Sequence, residues 1–157
     1  MKTYEAEHEF ISRVLMGNQW AIRMANELFF VSQVWDDLVD GDRPVPHDTI
    51  NRMMWTALVD LPLNPFYQEN FAALHPIIRA CIIDWFAAND IEKDHEHDRQ
   101  LTISYILRDS ISNILVHMAL LVGGYDWMRQ VAPEIRKRVH DESLGKYIMG
   151  VKKGVKA

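Results

Sequence analysis

Apolar residues recur along this chain at intervals of three and four, and no useful stretch alternates with the period of two that marks a strand. The pattern predicts a first helix over 3–16, with Phe10, Ile11 and Val14 on one stripe. Gly17 and Asn18 interrupt it, and Asn18 is a natural N-cap for a long second helix over 19–39. Gly41 to Pro46 reads as a loop held by two prolines. His47 or Asp48 then caps a third helix over 49–61, with Ile50, Met54, Ala57 and Leu61 facing inward, and Pro62 and Pro65 end it. A short helix over 65–73 leads to a fourth, running to 93, in which Pro76 occupies the first turn. After the polar junction Asp94 to Asp98, a fifth helix is predicted over 99–122, ending at Gly123-Gly124. A last helix over 133–149 shows Ile135, Val139 and Ile148. These elements predict an all-α, single-domain antiparallel bundle of about six helices over 1–150, with a basic flexible tail over 151–157.

The second helix carries the most specific chemistry. Its aromatic run Phe29-Phe30-Val31-Ser32-Gln33-Val34-Trp35 leads into Asp36-Asp37-Leu38-Val39-Asp40 and stops at Gly41. Asp36 and Asp40 are four apart and share a face, with Asp37 beside them. Like charges at that spacing repel, and negative charge at a helix C-terminus opposes the helix dipole. A hard divalent cation, Mg²⁺ above all, would neutralise the set, because it takes oxygen ligands and bridges carboxylates to phosphates. A helix that leaves into water through an acidic turn capped by Gly41 is the alternative reading of the same residues.

The stretch from Glu9 to Asp42 resembles the first aspartate-rich helix of class I terpenoid synthases, in particular the squalene and phytoene synthase type. Asp36, Asp37 and Asp40 match the DDxxD motif of that family, and Ala21-Ile22-Arg23 and Phe29-Phe30-Val31 precede it. The resemblance implies a terpenoid-synthase-like bundle and Mg²⁺ held by the three aspartates. It also implies a prenyl diphosphate substrate, with the metal stabilising the departing diphosphate. Phe29, Phe30, Trp55, Trp85 and Phe86 would wall the carbocation, and Arg43 or Arg108 would clamp the anion.

Asp109, Asn113 and His117 follow at i, i+4 and i+8 on the predicted fifth helix, forming one polar stripe. The stripe is similar to the family's second metal motif, although Asn113 stands for a hydroxyl residue and His117 for a carboxylate. Polar groups bonding one another between helices is the other account of it. His95 and His97 are only two apart and point to different faces, so the junction is expected to be a solvated hinge, with Asp98 as an N-cap. The short chain, the altered second motif and the missing C-terminal arginine-tyrosine pair support a different class of function. This is a non-catalytic helical binding or assembly protein, paired as a homodimer, that keeps the fold without the chemistry. A nucleotide pyrophosphatase of the MazG type is a further alternative, but only Glu27 accompanies the aspartates on their helix.

Composition narrows the partners. With 157 residues, 48% hydrophobic and 25% charged, the chain has the make-up of an ordinary globular domain. Its net charge of −5 divides unevenly, −10 over residues 1–128 and +5 over 129–157. An acidic body argues against nucleic acid as the main ligand. The single cysteine, Cys81, excludes an intramolecular disulfide and lies in an apolar run that suits a buried structural thiol. The N-terminus is too polar for a signal peptide. The best apolar run, Ile111 to Gly124, is short for a membrane span and is interrupted by Asn113 and His117. A soluble, cytoplasmic protein with no transmembrane segment is the expectation.

Overall fold

The computed structural model describes residues 5–139 and 142–154. Thr3 and Tyr4 of the predicted first helix, the side chain of Val139, and tail residues 155–157 with Lys156 lie outside the described residues. All regular structure within them is helical, and the class is the expected all-α helical bundle. The elements are α1 (Glu7–Val14), α2 (Gln19–Asp40), α3 (His47–Trp55), a π-helical turn (Thr56–Asp60), α4 (Leu61–Leu63), α5 (Pro65–Glu69), α6 (Phe71–Lys93), α7 (Asp98–Leu107), α8 (Ser112–Val139) and α9 (Leu144–Lys152). Two units divide them: one holds the chain up to Phe71 with Met118–Met128, the other Ala72–His117 and the chain from Arg129.

In the first unit α2 packs against α1, α3, the π-helical turn, α4 and α5. Asn18 caps it as expected, its Oδ1 accepting the Ala21 amide at 3.0 Å. Gly41 closes the other end in the left-handed conformation at φ 67°, donating its amide to the Asp37 carbonyl. Ala21, Met24 and Ala25 are buried on one stripe, and two of the three are small, so neighbouring backbones can approach closely. Asn64 ties α5 to this helix: its Oδ1 accepts the Tyr67 amide, and its Nδ2 donates to the Trp20 carbonyl at 3.0 Å.

The third predicted helix departs from its pattern. It begins at His47, and after Trp55 the backbone widens into the π-helical turn before returning to α-geometry at Leu61. A wider turn adds a residue and rotates every later side chain. Thr56, at the start of that turn, is buried, and Met54, expected inward, is exposed ahead of it. Pro76 is not in a first turn either, since α6 already starts at Phe71. Its ring forfeits the bond to the Ala72 carbonyl, and both residues lie on an exposed side where water can serve that oxygen.

In the second unit the predicted fifth helix is broken. α7 ends at Leu107, residues 108–111 form turns, and α8 begins at Ser112. Gly124, at φ 84°, then kinks α8 at the point where a helix end was expected. Asp98 is the first residue of α7 rather than its cap, and its carboxylate pairs with Lys152 Nζ at 2.8 Å. Leu101, Tyr147 and Val151 form a buried cluster between α7 and α9, joined by Tyr105, Leu144 and Ile148. Val151, assigned by composition to the tail, is thus a core residue. By length and mean hydropathy two stretches, Phe71–Lys93 and Asp98–Arg138, are apolar enough to cross a membrane.

Gly123 shows how closely the first unit is packed. A Cβ there would meet two ring carbons of Trp127 at 2.3 and 2.6 Å and Met16 Sδ at 2.9 Å. The ring is not free to yield, because its Nε1 donates to the Val14 carbonyl at 2.8 Å. Gly123→Ala should therefore lower stability by about 1–3 kcal/mol in urea denaturation, as overpacking does. Gly145→Ala in α9, where a Cβ meets nothing within 4 Å, should raise it by about 0.4–1 kcal/mol.

Candidate functional site

The side of α2 away from its buried stripe carries Gln19, Arg23, Asn26, Glu27 and Phe30, spaced three and four apart. With Ile22 they form one wall of a hollow of about 610 Å³, and Arg52, Thr56 and Asp60 form the other. A second hollow, about 600 Å³, is lined by Asp48, Thr49, Asn51 and Trp55 and shares Phe30 and Arg52 with the first. The two make a trough between α2 and the segment from α3 through the π-helical turn. That turn shapes the trough: residues five apart stack in π-geometry, and Trp55 Nε1 donates to Asp60 Oδ1 at 3.1 Å across it.

Charge is unevenly placed along the trough. At one end Arg23 Nε donates to Glu27 Oε1 at 2.9 Å, and its guanidinium lies over the Trp20 ring. The hydrogen bond to Glu27, then the charge of Glu27 and more weakly that of Asp60, hold the Arg23 pKa above its ordinary value. Glu27 Oε2 is buried and has no hydrogen-bond partner among the described residues. A buried oxygen of that kind is the position at which water, an ion or a ligand group is expected. The apolar part of the lining is Ile22, Phe30 and the ring of Trp55. The trough is open to water: Trp55 is 57% exposed and its neighbour Leu58 67%.

The three aspartates sit at the C-terminal end of α2, and all are half-buried. Asp37 lies on the face of Phe30, seven residues on, and its Oδ1 accepts Gln33 Nε2 at 3.1 Å. Asp36 and Asp40 are not free of partners. Among the described residues no three His, Cys, Asp or Glu side chains converge closely enough to hold a metal ion by themselves. Mg²⁺ commonly takes only one or two carboxylates and completes its shell with water and phosphate oxygens. The residues present fit that use and not a preformed cage. Arg43 is exposed in the loop after α2, and Phe29 is half-buried.

The remaining predicted site residues belong to the second unit, where Arg108 and Asn113 are engaged with other side chains of that unit. Asp109 is in the turn before α8, so it does not share a helix with Asn113 and His117. Asn113 Oδ1 accepts Arg136 Nη1 at 3.0 Å, and His117 is exposed. Arg108 is half-buried, paired with the buried Glu92 through Oε1 at 3.0 Å and donating to Asn89 Oδ1 at 2.7 Å. The expected anion clamp is thus tied to protein groups. Tyr147 donates to the same Glu92 oxygen and lies 2.7 Å from Ser104 Oγ. Burial, then that hydrogen bond, pushes the Tyr147 pKa well up. Sequence reasoning passed over this set because Glu92, Ser104 and Tyr147 are far apart along the chain. Trp85 and Phe86 are adjacent rings 6.1 Å apart, with Phe86 half-exposed.

No family model matches this chain, and neither does any curated protein or solved structure.

Two outcomes follow for the second unit. Arg108→Met leaves Glu92 buried without its charge partner and should cost about 3–5 kcal/mol in urea denaturation. Cys81 Sγ donates to the Ser110 carbonyl at 3.1 Å. Burial pushes the thiol up to about 11, with the Asp84 charge adding to the shift and Arg136 opposing it. The thiolate is the reactive form. Cys81 should therefore resist a disulfide reagent in the native protein at neutral pH and react at the rate of a free thiol once urea unfolds the chain.

Proposed function

We propose that this chain is a binding protein for an anionic amphiphile, held in the trough along α2 with the help of Mg²⁺. The observation that carries the reading is the trough itself, in which Ile22, Phe30 and Trp55 lie among charged side chains, on a face of α2 that continues past the trough to Asp37. The aspartate-rich end, where the chain resembles terpenoid synthases, points to a diphosphate head group, and Ile22, Phe30 and Trp55 suit a prenyl chain. Asp37 and Asp40 would hold Mg²⁺, which screens the diphosphate charge and acts as a Lewis acid when bound. Arg43 and Arg52 would supply guanidinium groups matched to phosphate oxygens. The open trough favours binding over synthesis, because a carbocation needs walls that exclude water. Trp85, Phe86, Arg108, Asp109, Asn113 and His117 have no part in this reading.

Thermal denaturation tests it. A ligand bound at a hundredfold excess over its Kd adds about 2.7 kcal/mol to stability. Mg²⁺ with geranyl diphosphate should raise the melting temperature by several degrees, Mg²⁺ with inorganic pyrophosphate by less, and each component alone by least. Asp37→Asn with Asp40→Asn should remove both joint shifts. Phe30→Ala should reduce the response to geranyl diphosphate and leave that to pyrophosphate. No joint shift at millimolar concentrations would end the proposal. Release of pyrophosphate from geranyl diphosphate would convert the reading from binding protein to synthase.

A further inference from the structure

The buried stripe of α6 is Leu74, Cys81, Ala88 and Glu92, and Asp84 is held toward the same unit by Ser110 Oγ at 2.7 Å. The other side is open. There Arg79, Ile83, Phe86 and Asp90 follow at i, i+4, i+7 and i+11, the spacing of one continuous helix stripe. Ile83 is 56% and Phe86 51% exposed, and only 11% of the most apolar stretch of α6 is buried. Arg79 and Asp90 are also exposed, and neither makes an ion pair or side-chain hydrogen bond with the described residues.

The order of these four residues specifies an occupant. Arg79 and Asp90 share one midpoint along the helix with Ile83 and Phe86, between Asp84 and Trp85. A second α6 laid antiparallel about that point sets Ile83 against Phe86 of the second copy and Phe86 against its Ile83. The same two-fold operation brings each Arg79 to the other copy's Asp90. Such a face is complementary to itself, as an isologous interface requires. Parallel pairing would set Arg79 against Arg79 and Asp90 against Asp90, which repel. A bilayer would have to take up an unpaired arginine and an unpaired aspartate, at high cost.

We infer that two copies of this chain associate as an antiparallel homodimer through the Arg79–Ile83–Phe86–Asp90 face of α6. The inference is independent of the trough on α2. One helix pair is a small interface, below about 1,200 Å² in total, so the dimer should be reversible and of micromolar affinity. Its energy comes from the four apolar side chains at the centre, and its orientation from the two charge pairs.

Sedimentation velocity on the full chain, from micromolar to submillimolar concentration, provides the test. The wild-type chain should shift reversibly from monomer to dimer. Arg79→Asp and Asp90→Arg should each weaken the dimer about tenfold or more, since each turns two attractions into repulsions, and tenfold corresponds to about 1.4 kcal/mol. The double charge-reversed variant should recover most of the affinity. Phe86→Asp should leave a monomer with the wild-type helical circular dichroism; should it fail to fold, the charge series decides alone. A monomer at the highest concentration overturns the inference, as does a dimer whose affinity ignores both single reversals. Co-sedimentation of monomer with phosphatidylcholine vesicles would assign the face to a membrane instead.

Discussion

Burying one stripe of α2 while leaving the other side open is the constraint on which the first unit depends. Ala21 and Ala25 are small enough to let neighbouring elements close on the helix, and Met24 fills the space between them. The Asn18 and Gly41 caps hold the two ends in place, and Asn64 bonds both the start of α5 and the Trp20 carbonyl. A helix so anchored presents Arg23, Glu27 and Phe30 at constant spacing toward α3. The trough is the open space between that fixed face and a segment thrown off α-helical register by the π-helical turn.

The second unit rests on a different kind of interaction. Glu92, Arg108 and Tyr147, with Asn89 and Ser104, form a polar group inside a helical core. A buried charge is tolerable only when paired and fully hydrogen-bonded, and each member of this set has such a partner. Asp84 with Ser110 and Arg136 with Asn113 repeat the arrangement nearby in the sequence. These bonds join α6, α7, α9 and the turn over 108–111 residue to residue, which apolar contact alone does not specify. They also engage Arg108, the expected anion clamp, and Asn113, a member of the expected second metal motif, with other side chains of the protein.

Much of the helical layout could be read from the chain because its causes are local. Apolar periodicity, the Asn18 cap and the Gly41 stop depend on residues within one turn of each other, and α2 falls where they predict. The breaks that were missed have longer-range causes. Nothing in residues 108–111 is a strong helix breaker, yet the chain turns there, and Arg108 pairs with Glu92 and Asn89 on α6. The π-helical turn likewise has no breaker residue, and it lies against α2.

The amino-acid sequence by itself determined the all-α class, the start and end of the long aspartate-bearing helix, and the grouping of Asp36, Asp37 and Asp40. Each follows from spacing along a single helix, where geometry is set by hydrogen bonds four residues apart. Only the tertiary structure decided which polar groups are available. It engaged Arg108 and Asn113 with other side chains, left a Glu27 oxygen buried without a partner among the described residues, and turned Arg79, Ile83, Phe86 and Asp90 outward. Burial and pairing depend on which segments meet, and residues that meet here are separated by up to 113 positions in the chain.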